Sequence, residues 1–249
     1  MNMEKDLVII PTYNEKENVE KMIRKVFSLK TPFEILIIDD NSPDKTAEIV
    51  KKLQKEFPDK LHIMERSGKL GLGTAYLSGF KWALDHGADY IYEMDCDFSH
   101  NPKDLEKLHN ACAKNNADAA IGSRYIKGIN VVYWPLGRVL MSYFASVYVR
   151  LVTGMKIMDT TAGFVCYRRK ILETIDFKKI KMKGYGFQIE MKFTAWKHGF
   201  NIVEIPIIFM DRQQGTSKMS GGIFTEAFTE IPGLKIRSWF RKYKQPNKK

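Results

Sequence analysis

Nowhere in the chain do about 18 apolar residues run together without a charge, so no transmembrane helix is expected. The nearest approach, residues 131–152, is interrupted by Arg138 and Arg150. Cysteine is scarce and odd in number. Cys96, Cys112 and Cys166 are widely spaced and contain no CxxC pair, which excludes a disulfide framework and a cysteine zinc site. That usage suits a reducing, cytosolic compartment. The opening MNMEKDLVIIPTYNE has no long apolar stretch of the kind a secretory leader needs. The five histidines show no HExxH spacing, no GxSxG elbow is present, and GLGTAYLSG at 71–79 misses both the GxGxxG and the P-loop patterns. Acids are in deficit, 29 against 40 Lys and Arg, for a formal charge of +11. Such a balance favours an anionic partner: nucleic acid, an anionic membrane surface or a phosphorylated substrate. The basic residues gather on no single recognition helix and no helix-turn-helix, RRM or zinc pattern occurs, which argues against nucleic acid.

What is present is globular: 249 residues, 44% hydrophobic and 28% charged, with no repeat and no linker rich in Pro, Gly or Ser. Short apolar runs at 6–11, 34–39, 61–65, 89–95 and 117–123 read as buried strands. Segments of helical periodicity at 15–28, 45–57, 73–86 and from Pro102 to about Asn115 lie between them. This alternation predicts an α/β fold, a mostly parallel sheet with helices on both faces. Ligands of such sheets bind outside the carboxyl ends of the strands. The second half is less regular, with helices over 138–152 and 186–198, a loop and short strand over 159–170, and a strand over 201–209. From Leu234 the tail carries seven Lys or Arg and no acid.

Asp95 and Asp97 end the fourth strand. In an extended segment residues i and i+2 point the same way, so the two carboxylates would converge. Like charges that close favour a cation between them, and oxygen ligands suit Mg²⁺ or Mn²⁺, which in turn would hold a diphosphate. Asp39 and Asp40 end the second strand. Capping of the next helix is assigned to Asp44, and nucleoside binding to Asp40. The glycines of 71–79 read as a turn that lets a helix pack closely. Arg124 follows the fifth strand, Arg138 and Ser142 share a helix face, and Arg212 and Lys218 lie in the polar segment MDRQQGTSKMS. Several cations at predicted cleft positions suggest more than one phosphate group to neutralise.

PTYNE, IIDDNSPDKT, the GLGTAY segment, MDCDFSHNP, GSRY, DTTAGF, KGYGFQIEM and DRQQGTSKMSG follow one another in that order. Together they resemble the dolichyl-phosphate (polyprenyl-phosphate) mannose synthases, family 2 glycosyltransferases of the GT-A fold, over about residues 6–230. The resemblance implies one Rossmann-like GT-A catalytic domain over 1–233 and a basic tail over 234–249. It implies that Pro11, Tyr13, Glu15, Ile38 and Asp40 contact the nucleoside. Asp95, Cys96 and Asp97 match the metal-binding DxD segment, with Asp97 the direct ligand. Ser99 falls where some members place a glutamine ligand. Arg124, Arg138 and Ser142 match residues that hold an acceptor phosphate, and Arg212 and Lys218 match a loop that clamps the donor diphosphate. Asp97, Arg124 and Arg212 would carry the chemistry. The implied reaction moves mannose from GDP-mannose to a polyprenyl monophosphate in the membrane, with inversion and with a divalent metal (Mg or Mn). UDP-glucose or another sugar nucleotide stands as the alternative donor, since no residue separates guanine from uracil by physical argument. Many relatives carry transmembrane helices. A chain of this short type would sit peripherally on the cytosolic face, through the helix at 138–152 and the basic tail or through a membrane subunit.

Overall fold

Alternation of side chains along the strands sorts the core into two halves. In β1 (Asp6–Thr12), Leu7 and Ile9 face one side of the sheet while Val8 and Ile10 face the other. In β2 (Glu34–Asp39), Leu36 and Ile38 join the first side and Ile35 and Ile37 the second. Strands buried on both faces require helices on both faces, the condition of a parallel sheet. The computed structural model describes residues 4–184, 186–211 and 222–245, with side chains of the last segment from 229 on.

The remaining strands are β3 (Leu61–Glu65), β4 (Tyr90–Glu93), β5 (Ala119–Ser123), β6 (Val131–Val132), β7 (Val165–Arg168), β8 (Ile202–Pro206) and β9 (Phe209–Met210). The helices are α1 (Val19–Phe27), α2 (Thr46–Gln54), α3 (Leu72–Asp85), α4 (Leu105–Ala113), α5 (Leu136–Thr153), α6 (Arg169–Thr174), α7 (Gly186–Lys197) and α8 (Gly222–Trp239). Seven strands form one sheet in the order β3-β2-β1-β4-β7-β5-β8, and β6 pairs with β9 in a separate ribbon. All pairings in the large sheet are parallel except those of β7, which runs antiparallel to both β4 and β5. The chain passes from β1 outward to β3 and returns to β4 on the other side of β1. That reversal opens a crevice at the carboxyl ends of β1 and β4. The expected mostly parallel α/β sheet is therefore present.

Two glycines of the 71–79 segment set how closely α3 lies on the sheet. A Cβ on Gly73 would stand 2.8 Å from the Phe187 ring of α7, and one on Gly79 would stand 2.8 Å from Ile38. The glycines serve close packing, as the sequence suggested. α7 is buried along most of its length, from Phe187 to Ala195, so its polar residues Gln188, Glu190 and Lys192 lie inside the protein. α8 continues through residue 234, with Ile231 and Leu234 buried, so the position chosen for the start of the tail falls within a packed helix. No helix among the described residues is long and apolar enough to cross a membrane.

Candidate active site

The two loops that follow β1 and β2 are bonded into one unit. Asp39 accepts from the Thr12 hydroxyl (3.0 Å) and from both the N–H and the hydroxyl of Ser42 (2.8 and 2.6 Å). Asp44 accepts from the Thr46 N–H at 3.0 Å and its hydroxyl at 2.6 Å, and from the Lys16 N–H at 3.1 Å. It thereby forms an Asx-turn leading into α2, whose N-cap position is Lys45, so the expected capping role is replaced by a turn. Burial pushes Asp44 up, but these hydrogen bonds prevail and hold it below the usual carboxylate value. Glu15 donates its N–H to Thr46 and accepts from the Asn18 amide.

Asp40 meets a partner that sequence reasoning missed. Arg66 grips it in a two-pronged ion pair, Nε to Oδ1 at 2.6 Å and Nη2 to Oδ2 at 2.7 Å, and donates to Thr74 Oγ1 at 2.8 Å. Arg66 immediately follows β3, at the same sheet edge as the other loops, and that position was the signal available for it. Tyr13 lies beneath the Lys69 ammonium, 5.4 Å from the ring centre. Ile38 is a core side chain with no exposed surface, so a contact with a nucleoside would have to come from its backbone.

β4 stops at Glu93, short of the strand expected over 89–95, so the two aspartates are not placed by strand alternation. The chain bends through 96–100, and Phe98 adopts a left-handed φ of 59°. This bend returns the Ser99 N–H to Asp97 Oδ1 at 3.1 Å. Asp95 and Asp97 nevertheless face one cavity of about 450 Å³, together with Ser99, Arg124, Arg138 and Ser142. Pro11, Tyr13, Glu15, Asp40 and Cys96 do not line it. Arg212 and Lys218 lie outside the described residues.

His100 closes the cavity floor, stacked on Phe164 with ring centres 4.9 Å apart. Burial pushes its imidazole down to about 4, so the ring is neutral at ordinary pH.

Arg124 lies along the opposite wall. Asp159 accepts from its backbone N–H (2.9 Å), its Nε (2.7 Å) and its Nη2 (2.6 Å), and Thr161 takes a further bond from Nη2 at 2.7 Å. Asp159 is itself seated by Glu204 of β8, whose carboxylate accepts the N–H groups of Met158 and Asp159. Burial raises Asp159, but the Arg124 charge and its hydrogen bonds outweigh this and hold it ionised, below the usual value. Arg138 pairs with Asp211 at 3.1 Å and stacks on Trp134, its guanidinium carbon 4.0 Å from the indole centre. Ser142 accepts from the Tyr125 hydroxyl at 2.8 Å. One stretch of the cavity wall is apolar, with Met141, Phe144 and Val149 of α5 and Ile231 of α8.

Beneath the DxD segment lie two buried titratable groups, Glu93 and Lys192, that sequence reasoning also missed. Glu93 and Lys192 are both almost wholly enclosed. Burial pushes Glu93 up to about 8 and Lys192 down to about 8, while each charge partly supports the other. Lys192 donates to the Ala162 carbonyl and, at 3.0 Å, to the Gln188 carbonyl.

Among the described residues several buried polar atoms have no partner, and four of them belong to cavity residues: the Tyr76 hydroxyl, Ser99 Oγ, Trp134 Nε1 and Gln188 Nε2. Buried polar groups are normally satisfied, so this wall is built for a polar occupant. An all-oxygen set of Asp95, Asp97 and the unpartnered Ser99 hydroxyl fits a hard divalent cation. Among the described residues no three His, Cys, Asp or Glu side chains assemble, so the remaining coordination would fall to substrate oxygens or water.

Residues 7–176 match the family described as Glycosyl transferase family 2. Over 234 residues the chain is 44% identical to the polyprenol monophosphomannose synthase of Mycolicibacterium smegmatis, covering 94% of this chain and 88% of that protein. It is 42% identical to the undecaprenyl-phosphate mannosyltransferase of Micrococcus luteus, over 90% of this chain and 91% of that one. Among solved structures, glucosyl-3-phosphoglycerate synthase from Mycobacterium tuberculosis, in complex with Mn²⁺, UDP-glucose and phosphoglyceric acid, superposes with a TM-score of 0.69. That match covers 93% of this chain and 80% of the other at 14% identity, and it speaks for the shared GT-A fold.

Proposed function

Because the chain belongs to glycosyl transferase family 2, we propose that it transfers mannose from GDP-mannose to a polyprenyl monophosphate at a membrane surface. One observation carries this reading. A single cavity sets two carboxylates against two arginines and continues into an apolar wall of α5 and α8. Carboxylates suit a metal-bound diphosphate, arginines a phosphate dianion, and the apolar wall the first isoprene units.

A phosphate monoester has a second pKa near 6, so the acceptor is largely dianionic at neutral pH and no protein base is needed to create the nucleophile. One acceptor oxygen attacks the anomeric carbon as the carbon–oxygen bond to the diphosphate breaks, and its electron pair leaves with GDP. A single displacement inverts the anomeric centre. The protein's work is alignment and charge management. Arg124 and Arg138 hold the acceptor dianion against repulsion from the donor. A divalent cation, Mg²⁺ or Mn²⁺, held by Asp95, Asp97 and Ser99, would supply neutralisation of the departing diphosphate. The Mn²⁺ in the M. tuberculosis relative accords with this. Arg212 and Lys218 would add positive charge at the same group.

The acceptor's lipid requires contact with a membrane, and the surface beside the cavity is suited to it. On α5, Leu136, Phe144 and Leu151 are 72, 60 and 80% exposed, and Trp239 and Phe240 at the end of α8 are 68 and 86% exposed. Lys and Arg of 235–244 flank the latter pair. Apolar side chains beside basic ones suit an anionic bilayer, here the cytosolic face.

The test is a transfer assay with Mg²⁺ or Mn²⁺, a polyprenyl phosphate in detergent, and labelled GDP-mannose or UDP-glucose. Lipid-linked label from GDP-mannose alone, lost with EDTA, is expected. Label from UDP-glucose alone would move the protein to glucosyl transfer. Label from neither donor, even with anionic vesicles or a membrane fraction supplying a partner subunit, would overturn the reading.

A further inference from the structure

We propose that Trp134 is an acceptor-phosphate residue, donating its indole N–H to the phosphate while its ring packs against the guanidinium groups of Arg124 and Arg138. Nothing in the sequence marked this residue. The assignment deepens the reading above and rests on a phosphate-bearing acceptor.

The backbone turns Trp134 inward. Tyr133 has a left-handed φ of 66°, unfavourable for a bulky residue, and its side chain is 82% exposed. With Tyr133 turned to solvent, the next side chain points into the cavity. There the indole packs edge-on against Phe209, ring centres 5.1 Å apart at 67°. Arg138 stacks on its face at 4.0 Å, and Arg124 lies 5.7 Å from the ring centre. Both guanidinium groups therefore lie within cation–π range of the one ring. Cation–π attraction offsets part of their repulsion.

Trp134 Nε1 is buried without a hydrogen-bond partner among the described residues, and the residue lines the cavity. An indole N–H can only donate, and burying it unpaired has a cost that a bound acceptor oxygen would remove. The neighbouring hydroxyl fits the same occupant. Ser142 accepts from Tyr125 and so keeps its own hydrogen for another acceptor. A phosphate dianion needs several donors around its oxygens, and Arg124, Arg138, Ser142 and the indole N–H together offer them. The structural alternative, a tryptophan that merely fills space, leaves the position of the N–H unexplained.

Trp134→Phe keeps an aromatic ring for stacking and removes the donor, and Trp134→Leu removes both. Loss of one hydrogen bond to a charged group predicts an acceptor KM raised roughly 10-fold or more in Trp134→Phe, and further in Trp134→Leu. GDP affinity should stay within about twofold, a split that general destabilisation would not give. Wild-type protein offers a second readout. With ¹⁵N-labelled indoles, its four tryptophans give four N–H resonances. Citronellyl phosphate should shift one of them strongly downfield, and that resonance should be missing in Trp134→Phe. Wild-type kinetics in Trp134→Phe, or no indole shift at saturating acceptor, would overturn the assignment and leave the transfer reading intact. No wild-type transfer to any polyprenyl phosphate would instead overturn the reading it rests on.

Discussion

Asp159 takes three hydrogen bonds from Arg124, one from the backbone and two from the guanidinium, and so fixes the arginine's whole length along the cavity wall. Asp159 has no exposed surface and Arg124 is 7% exposed, so water screens their attraction little. Asp159→Asn is expected to cost about 3–5 kcal/mol in urea unfolding, the range for breaking a buried ion pair. The surviving fold should show a raised acceptor KM. Unchanged stability would mean that Arg124 has a second buried counter-charge.

Arg66 stands behind Asp40, so substitution of either should act on the same ligand. Arg66→Met is expected to weaken nucleotide binding about as much as Asp40→Asn does, by roughly 10-fold, measured by calorimetry. The double variant should lose little more than either alone. Additive losses would separate the two residues' roles.

The two sides of the cavity predict opposite kinetic signatures. Asp97→Ala should lower kcat by on the order of 100-fold or more and blunt the response to Mg²⁺ or Mn²⁺. Arg138→Ala should raise acceptor KM and leave GDP affinity nearly unchanged. A fall in GDP affinity without a change in acceptor KM would remove Arg138 from the acceptor side.

Glu93 and Lys192 are worth testing as a pair. Lys192→Met removes the cation that favours ionised Glu93, and Glu93→Gln removes the anion that favours charged Lys192, so each single variant leaves a less well supported buried polar group and should lose about 1–3 kcal/mol. The double variant should recover at least about 1 kcal/mol of the summed loss, read from denaturant midpoints. Simple additivity would show that the two groups do not support each other.

Far from the cavity, His109 shares Asp6 with the Tyr92 hydroxyl, donating its Nδ1–H to Asp6 Oδ1 at 2.8 Å. The Asp6 hydrogen bond raises the His109 pKa above its ordinary 6.5, with burial opposing. A raised folded value means that the folded protein binds this proton more tightly than the unfolded chain. The stabilisation is complete below 6.5 and is lost as pH rises through the folded value. The stability difference between wild type and His109→Gln should thus be largest below pH 6.5 and shrink as pH rises past the raised folded value. A difference that grows with pH would reverse the assignment.

Local features of the chain foretold local structure well. Five apolar runs and the helices between them were legible because strand and helix periods differ, and Asp44 stood out because its spacing to α2 is short, although it makes a turn one residue ahead of the N-cap position. Partnerships across the fold were not. Arg66 meets Asp40 across 26 residues, Arg124 meets Asp159 across 35, and Glu93 finds Lys192 on a helix from the other end of the chain. Such pairs depend on strand order, which no local pattern encodes. Lys192 was hidden further because a lysine within a helix ordinarily reads as a solvated face. Trp134 gave no signal because its direction depends on one unusual backbone angle at Tyr133.

The reversed direction of β7 has a consequence for distance. Its first residue, Val165, pairs with Glu93, the last of β4, so the segment 158–164 emerges beside Asp95 rather than at the far rim of the sheet. Asp159 and Ala162 ride on that segment, while Asp95 and Asp97 follow β4. A slip of one residue between these strands would displace one set against the other by about 3.3 Å, comparable to the gap across which a nucleophile must reach its carbon. The rungs between β4 and β7 act as a ruler, and the span between the two substrates is graduated in strand residues.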